Sequence, residues 1–333
     1  MRTGMTRIII VLTALAMMVV ALVGCEEELS PAIKASRAEE FTFTVGESAM
    51  LSADTSNGEV VVRGVEGTQE VLVVATLKTR GKTTEEAEER LDDIVYSVTQ
   101  EDNQVRLRCK ASEQDRDVRR YSGVDFEVTV PIATRVNADT SNGAISVETV
   151  AGQLDLDTSN GRINVYEVVG NVVADTSNGE IEVWNVTGDV RADTSNGRID
   201  LDEILGSVLA DTSNGSITLE SIEGEVRAET SNGSIRYEGR PIGQNNTLKT
   251  SNGSITVRIP ADASIAFEVS ADDGGIRSSL PLVGDTEGDR WSAELNPPAT
   301  AAMSLSTSNG NIRIDALAKL AEIGHELRLL NRG

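Results

Sequence analysis

Apolar and polar residues alternate along most of this chain in short bursts that return at a fixed interval. Between Thr140 and Thr230 the pattern repeats every 18 residues, and each unit opens with Thr-Ser-Asn-Gly. Nine copies of that tetrapeptide begin at Thr55, Thr140, Thr158, Thr176, Thr194, Thr212, Thr230, Thr250 and Thr307. With the Thr counted as position 0, position 5 is Ile145, Ile163, Ile181, Ile199, Ile217 and Ile235. Positions 7, 10, 14 and 16 are also apolar, and position 12 is Gly152, Gly170, Gly188, Gly206 and Gly224. Polar residues fall between them. Each unit therefore predicts two strands, at positions 4–8 and 13–17, with one dry face and one wet face.

A period of this size marks a repeat architecture. Asn-Gly between alternating strands is also a hairpin signal, which would give an antiparallel meander. A meander needs no fixed residue at every corner, whereas a β-solenoid stacks like on like and gains hydrogen bonds along Asn and Thr columns. The pattern favours the solenoid. Gly143, Gly179 and their equivalents are expected to supply the left-handed backbone of a sharp corner. A turn of this length traces at most about 60 Å, so the coil is narrow and filled by Ile, Val and Ala. Aromatic content of 3% agrees. The fold class is all-β: a single-chain, parallel β-helix-like solenoid with 18-residue rungs, one inserted helix near its N-terminal end and a C-terminal helix.

The flanks depart from the repeat. Val60–Val62 and Val71–Ala75 read as first solenoid strands. Thr83–Val98 reads as a helix over the first end of the stack, capped by Thr83 or Thr84, with Leu91, Ile94 and Val95 as its apolar stripe. Strands near Val105–Cys109 and Val124–Val130 return the chain, and the helix-containing excursion spans 76–138 of a domain covering 41–315. Ala271–Ile276 looks like a worn copy, Thr307–Ile314 like a last full one, and 316–333 like a helix.

Residues 1–24 read as a signal peptide, with Arg2 and Arg7 before the apolar run Ile8–Val23. Leu22-Val23-Gly24-Cys25 resembles the lipobox of bacterial lipoproteins. That resemblance implies that Cys25 becomes a lipidated N-terminus, that 25–40 is a tether, and that the exported chain is anchored to a bacterial membrane through Cys25. The other cysteine, Cys109, is expected as a core thiol without a disulfide partner, and the lone His325 lies in the C-terminal segment. A net charge of −23 argues against nucleic acid and anionic lipid surfaces as partners.

The whole pattern resembles the bacterial putative-adhesin domain family of unknown function, whose members carry runs of Thr-Ser-Asn-Gly-x-Ile-x-Val units. The residues that carry the resemblance are Asp54–Val62, Glu85-Glu86-Ala87 with Leu91, Val128–Pro131 leading into Ala138-Asp139-Thr140, and Leu305–Ile314. It implies a β-solenoid at the cell envelope and, by name, adhesion. It brings no catalytic residues.

Two columns carry candidate chemistry. Asp139, Asp157, Asp175, Asp193 and Asp211 precede successive corners. The structural reading is that each caps the backbone N–H groups of its corner. The alternative is a row of calcium sites, against which Lys249 interrupts the column. The second column places Tyr166 and Trp184 at position 8 of successive units, with Arg162 and Glu180 at position 4 of the same units. Alternation points both rings outward, either as a stacked pair that steadies the rungs or as a platform for a glycan or an envelope protein. Position 4 also alternates in sign through Arg162, Glu180 and Arg198, as an ion-pair ladder would. No Ser/His/Asp set and no Cys/His metal spacing is present, so neither an enzyme nor a cofactor is expected. The reading is a lipid-anchored, non-catalytic interaction or scaffold module. The alternatives are a structural or envelope-stress protein without external ligand, and a polysaccharide-acting β-helix enzyme.

Overall fold

The computed structural model describes residues 33–109 and 122–317. The signal peptide, Cys25 and the helix expected beyond 317 lie outside the described residues. The chain divides into two compact units, Met1–Asn164 and Val165–Gly333, and in each the repeats wind as a parallel solenoid.

In the second unit, equivalent residues of successive repeats stand opposite one another in register. Ile181 pairs with Ile199 and Val183 with Leu201, and Ile199 pairs in turn with Ile217. On the other sheet Val190 pairs with Val208 and Ala192 with Ala210. The buried positions are those the alternation marks, among them Ile199, Leu201, Ile204, Val208 and Ala210. Strict alternation would turn position 10 outward after an outward position 8. It stays buried because position 9 adopts a left-handed conformation: Glu167, Asn185, Glu203 and Ser221 have φ of 56, 57, 56 and 54°. That single residue shifts the phase of the strand, at a cost of about 1–2 kcal/mol per non-glycine residue.

The corner works differently from the sequence expectation. Gly143, Gly161, Gly179, Gly197 and Gly215 are not left-handed. Glycine is needed there because the backbone of the preceding rung presses against its α-carbon. A Cβ at Gly161 would lie 1.7 Å from the Gly143 carbonyl oxygen, and one at Gly215 would lie 1.8 Å from that of Gly197. The Thr of each corner is buried, and its hydroxyl donates to the glycine carbonyl one rung back. The distance is 3.1 Å for Thr194 to Gly179 and for Thr212 to Gly197. The Asn side chains form a ladder outside: Asn196 donates to Asn178 and Asn214 to Asn196, each at 2.9 Å.

In the first unit one sheet runs in the order Ile33–Thr44, Glu70–Gly81, Gly123–Pro131, Val60–Val65, Ile145–Val150. The other runs Leu154–Thr158, Thr134–Thr140, Ala49–Thr55, Gln104–Cys109, Tyr96–Glu101. Four sequence expectations change here. Ile33–Thr44 is a strand paired antiparallel with Glu70–Gly81, so ordered structure begins inside the segment assigned to the tether. Val71–Ala75 belongs to that antiparallel ribbon and not to a parallel rung. The helix is shorter than expected, Thr84–Asp92. It is capped by Thr83, whose hydroxyl accepts from the Glu86 N–H at 3.2 Å, while the Glu86 carboxylate accepts from the Lys82 N–H at 2.6 Å. Ala87 and Leu91 bury the helix, but Val95 is exposed. Tyr96–Glu101 leaves the helix and forms an edge strand antiparallel to Gln104–Cys109.

The second unit ends with an exchange of order. The rung of Thr250 is followed in space by the last copy, Ala301–Asn309, and only then by Ile265–Asp273. The antiparallel strands Arg290–Leu295 and Val283–Asp285 close that sheet. Ala316 is the last residue of a strand, Ile312–Ala316, rather than the start of a helix. Both sheets of the first unit and that sheet of the second thus finish in antiparallel strands, which do not offer the next parallel rung a matching edge, whereas the other sheet of the second unit finishes on the short strand Ile276–Ser278, parallel to Ile312–Ala316.

Candidate functional site

Tyr166 and Trp184 each follow a buried valine, Val165 and Val183, and are themselves half-buried on the outward side that alternation assigns them. They share a groove of about 330 Å³ on the outer face of the second unit, lined also by Glu182, Asp200, Asp202, Thr218 and Glu220. Strand register builds this groove. Trp184 stands directly opposite Asp202, and Asp202 opposite Glu220. Glu182 stands opposite Asp200 and Asp200 opposite Thr218. At about 4.8 Å between neighbouring strands, this register gathers two aromatic rings and four carboxylates along one groove.

Two arginines approach the carboxylates of the groove. Arg198 contacts Asp200 at 2.6 Å, and Arg236 approaches Glu220 at 3.6 Å while also pairing with Glu238. Burial raises the Asp200 carboxyl above its ordinary pKa, with Glu180 and Glu182 adding to the rise and the Thr218 hydroxyl and Arg198 opposing it. Burial also raises Glu220, aided by Glu238 and Asp202 against Arg236. Both shifts come first from the partial burial of the carboxyls, with neighbouring carboxylates as a smaller contribution.

Of the four residues singled out in sequence, two meet in the groove. Glu180 is not in its lining; it accepts from Arg198 at 2.9 and 2.6 Å, one rung along the expected ladder. Arg162 is exposed and belongs to the first unit. Asp200, Asp202, Glu220 and Glu182 were missed. Acidic residues are common in this chain, and only the register across strands sets these four beside the rings.

The acidic column stacks in register, with Asp139 opposite Asp157, Asp175 opposite Asp193, and Asp193 opposite Asp211. The corner N–H groups expected to be capped by these carboxylates have other partners. The Ser195 N–H donates to the Thr176 carbonyl and the Asn196 N–H to the Ser177 carbonyl, at 3.3 and 3.0 Å. Parallel stacking supplies a carbonyl at every corner, so side-chain capping is displaced. Among the described residues no three acidic, His or Cys side chains converge on one point as metal ligands would. Burial raises Asp139, Asp175 and Asp211 above their ordinary pKa, and a stacked carboxylate neighbour adds to each. Arg191 contacts Asp193 at 3.3 Å, and Lys249 contacts Glu229 at 2.6 Å where the column ends. Cys109 is buried and free.

The Toastrack DUF4097 family matches residues 36–315. Solved structures of similar fold include a putative adhesin from Bacteroides fragilis, at 14% identity, TM-score 0.37, covering 84% of this chain and 97% of its own. A putative adhesin from Parabacteroides distasonis aligns at 8% identity and TM-score 0.33, with coverage of 84% and 97%. A putative cell adhesion protein from Clostridium sporogenes aligns at 12% identity and TM-score 0.21, with coverage of 84% and 100%. Among curated proteins none matches the chain.

Proposed function

This chain belongs to the Toastrack DUF4097 family, and from that premise we propose that it is a lipid-anchored, non-catalytic binding module of the bacterial cell envelope, adhesin-like in action. The observation that carries the reading is the Tyr166–Trp184 groove. Half-buried aromatic rings beside four carboxylates form a recognition surface, because rings bring large contact area at low entropic cost. The Leu22–Cys25 motif supports the anchor, with the solenoid held outward from the membrane.

Crosslinking in the native host tests the binding role. A partner captured by the full chain should be lost from the Tyr166→Ala, Trp184→Ala double variant, while the melting temperature changes by no more than a few degrees. A variant that melts much lower yet captures the same partner favours the rung-steadying role of the two rings. The anchor is tested separately: Cys25→Ser should leave the membrane fraction and incorporate no labelled fatty acid.

A further inference from the structure

We infer that the Tyr166–Trp184 groove binds a lysine or arginine side chain presented by an exposed basic segment of another protein. The inference rests on the binding role proposed above and names the chemistry of its partner. Trp184 and Asp202 are opposite each other in register, with Glu220 on the next strand. A cation lying over the Trp184 ring would therefore sit within reach of Asp202, with Glu220 one strand spacing of about 4.8 Å further along the groove. The face of an indole attracts cations, and a carboxylate beside it adds a charge-assisted hydrogen bond. The charged groups of the lining, Glu182, Asp200, Asp202 and Glu220, are all acceptors when ionised, and its donors, on Tyr166, Trp184 and Thr218, are neutral, so the fixed charge favours a cation.

Burial raises the Asp200 and Glu220 carboxyls, and an arriving cation would favour their ionised forms. Arg198, on the edge of this cluster, already contacts Asp200 and Glu180. It acts as a resident competitor that a basic ligand must work against. The net charge of −23 draws basic partners to the whole surface, so the test must separate the groove from that general attraction.

The test is calorimetric titration of the full chain, in non-ionic detergent at about 0.15 M salt, with hexalysine and, separately, with the neutral sugar chitohexaose. Hexalysine should bind saturably. Trp184→Ala and the Asp202→Asn, Glu220→Gln double variant should each weaken it about tenfold or more. Arg198→Ala should tighten it, an effect that a purely structural role for these residues would not produce. Asp175→Asn with Asp193→Asn removes the same number of charges away from the groove and should change affinity by less than about twofold. Equal weakening by that control pair would overturn the proposal in favour of diffuse attraction. Binding of chitohexaose through Trp184 without hexalysine binding would also overturn it, while leaving the binding role intact. If neither probe binds, the cation proposal falls and the binding role is decided by the crosslinking experiment. Melting curves of every variant identify any that fail to fold.

Discussion

Gly197 has its α-carbon pressed against the carbonyl group of Gly179, one rung back. A Cβ at Gly197 would lie 1.6 Å from that oxygen and 2.6 Å from the carbonyl carbon. Both contacts are with backbone, so the neighbour cannot swing aside as a side chain would. Gly197→Ala should therefore destabilise the second unit by about 3 kcal/mol, the upper end of over-packing costs. Gly275→Ala is the control, since its nearest neighbour would be Asn311 Oδ1 at 3.5 Å. It should stay within about 0.5 kcal/mol of the parent. Denaturant midpoints of the two variants check this, and equal midpoints would remove close approach as the reason for glycine at the corner.

The Thr194 hydroxyl is buried and donates to the Gly179 carbonyl at 3.1 Å. Thr194→Val keeps the shape and deletes the donor. It should cost about 1 kcal/mol, the net value of a typical hydrogen bond. Thr194→Ser keeps the donor and loses a methyl group, so it separates the bond from the packing. Urea denaturation of both variants gives the comparison.

Asn246 occupies a buried site where the unit spacing lengthens. Its amide donates to the carbonyls of Ile242, Gly243 and Ala302, and its side-chain oxygen accepts from the Val226 N–H at 2.9 Å. Asn246→Leu should destabilise by at least about 2–3 kcal/mol, because it leaves several buried backbone groups without partners. A thermal scan that shows no loss would mean that water replaces the amide.

Asp211 is raised above its ordinary pKa by burial and then by Asp193 and Glu229. A carboxyl whose folded pKa is raised opposes folding while ionised. The penalty is complete above the folded pKa and vanishes as pH falls to the unfolded value, about 3.9. Asp211→Asn should accordingly stabilise the protein at pH 7 by a few tenths of a kcal/mol, given solvent screening, and have no advantage near pH 4. Melting temperatures of parent and variant across that range should converge on the acid side. Divergence there would reverse the assigned sign.

The Cys109 thiol is pushed up to about 11, chiefly by burial. In a Cys25→Ser background, iodoacetamide at pH 8 should leave Cys109 unmodified until the first unit opens. Labelling rates in increasing urea should follow the unfolding curve. Fast labelling without denaturant would show a local opening around Gln104–Cys109.

The regular rungs were legible because every inward position repeats: Ile at position 5 and Ala at position 16 fix both the period and the buried face. Two features hid behind that regularity. The left-handed residue at position 9 is Glu167, Asn185, Glu203 or Ser221 in different rungs, so no residue type announces it; only the spacing of buried positions 7 and 10 does. The close approach at the corner and a left-handed corner both demand glycine, and sequence alone does not separate them. The ends were less legible, because the antiparallel pairing of Ile33–Thr44 with Glu70–Gly81 reads as the same alternation as a parallel rung. Tyr166 and Trp184 were readable from their rarity in a chain with two Trp and four Tyr. Asp202 and Glu220 were not, since acidic residues are common here and only the register across strands brings these two beside the rings.

The exchange of order near the C-terminal end has a consequence for how the chain is completed. Synthesis delivers the N-terminal rungs first, so a solenoid can lengthen one turn at a time as it emerges. That progression stalls after Ile255–Ile259. The strands that follow, Ile265–Asp273 and Ile276–Ser278, are not its neighbours; Ala301–Asn309 and Ile312–Ala316 are. Until those late residues arrive, the edge formed by Asn246–Asn252 and Ile255–Ile259 is open to any other extended chain. The last copy of the repeat thus acts as a closing bolt. A protein cut short before Ala301 would keep most of its rungs and lose the protection that holds one molecule's rungs apart from another's.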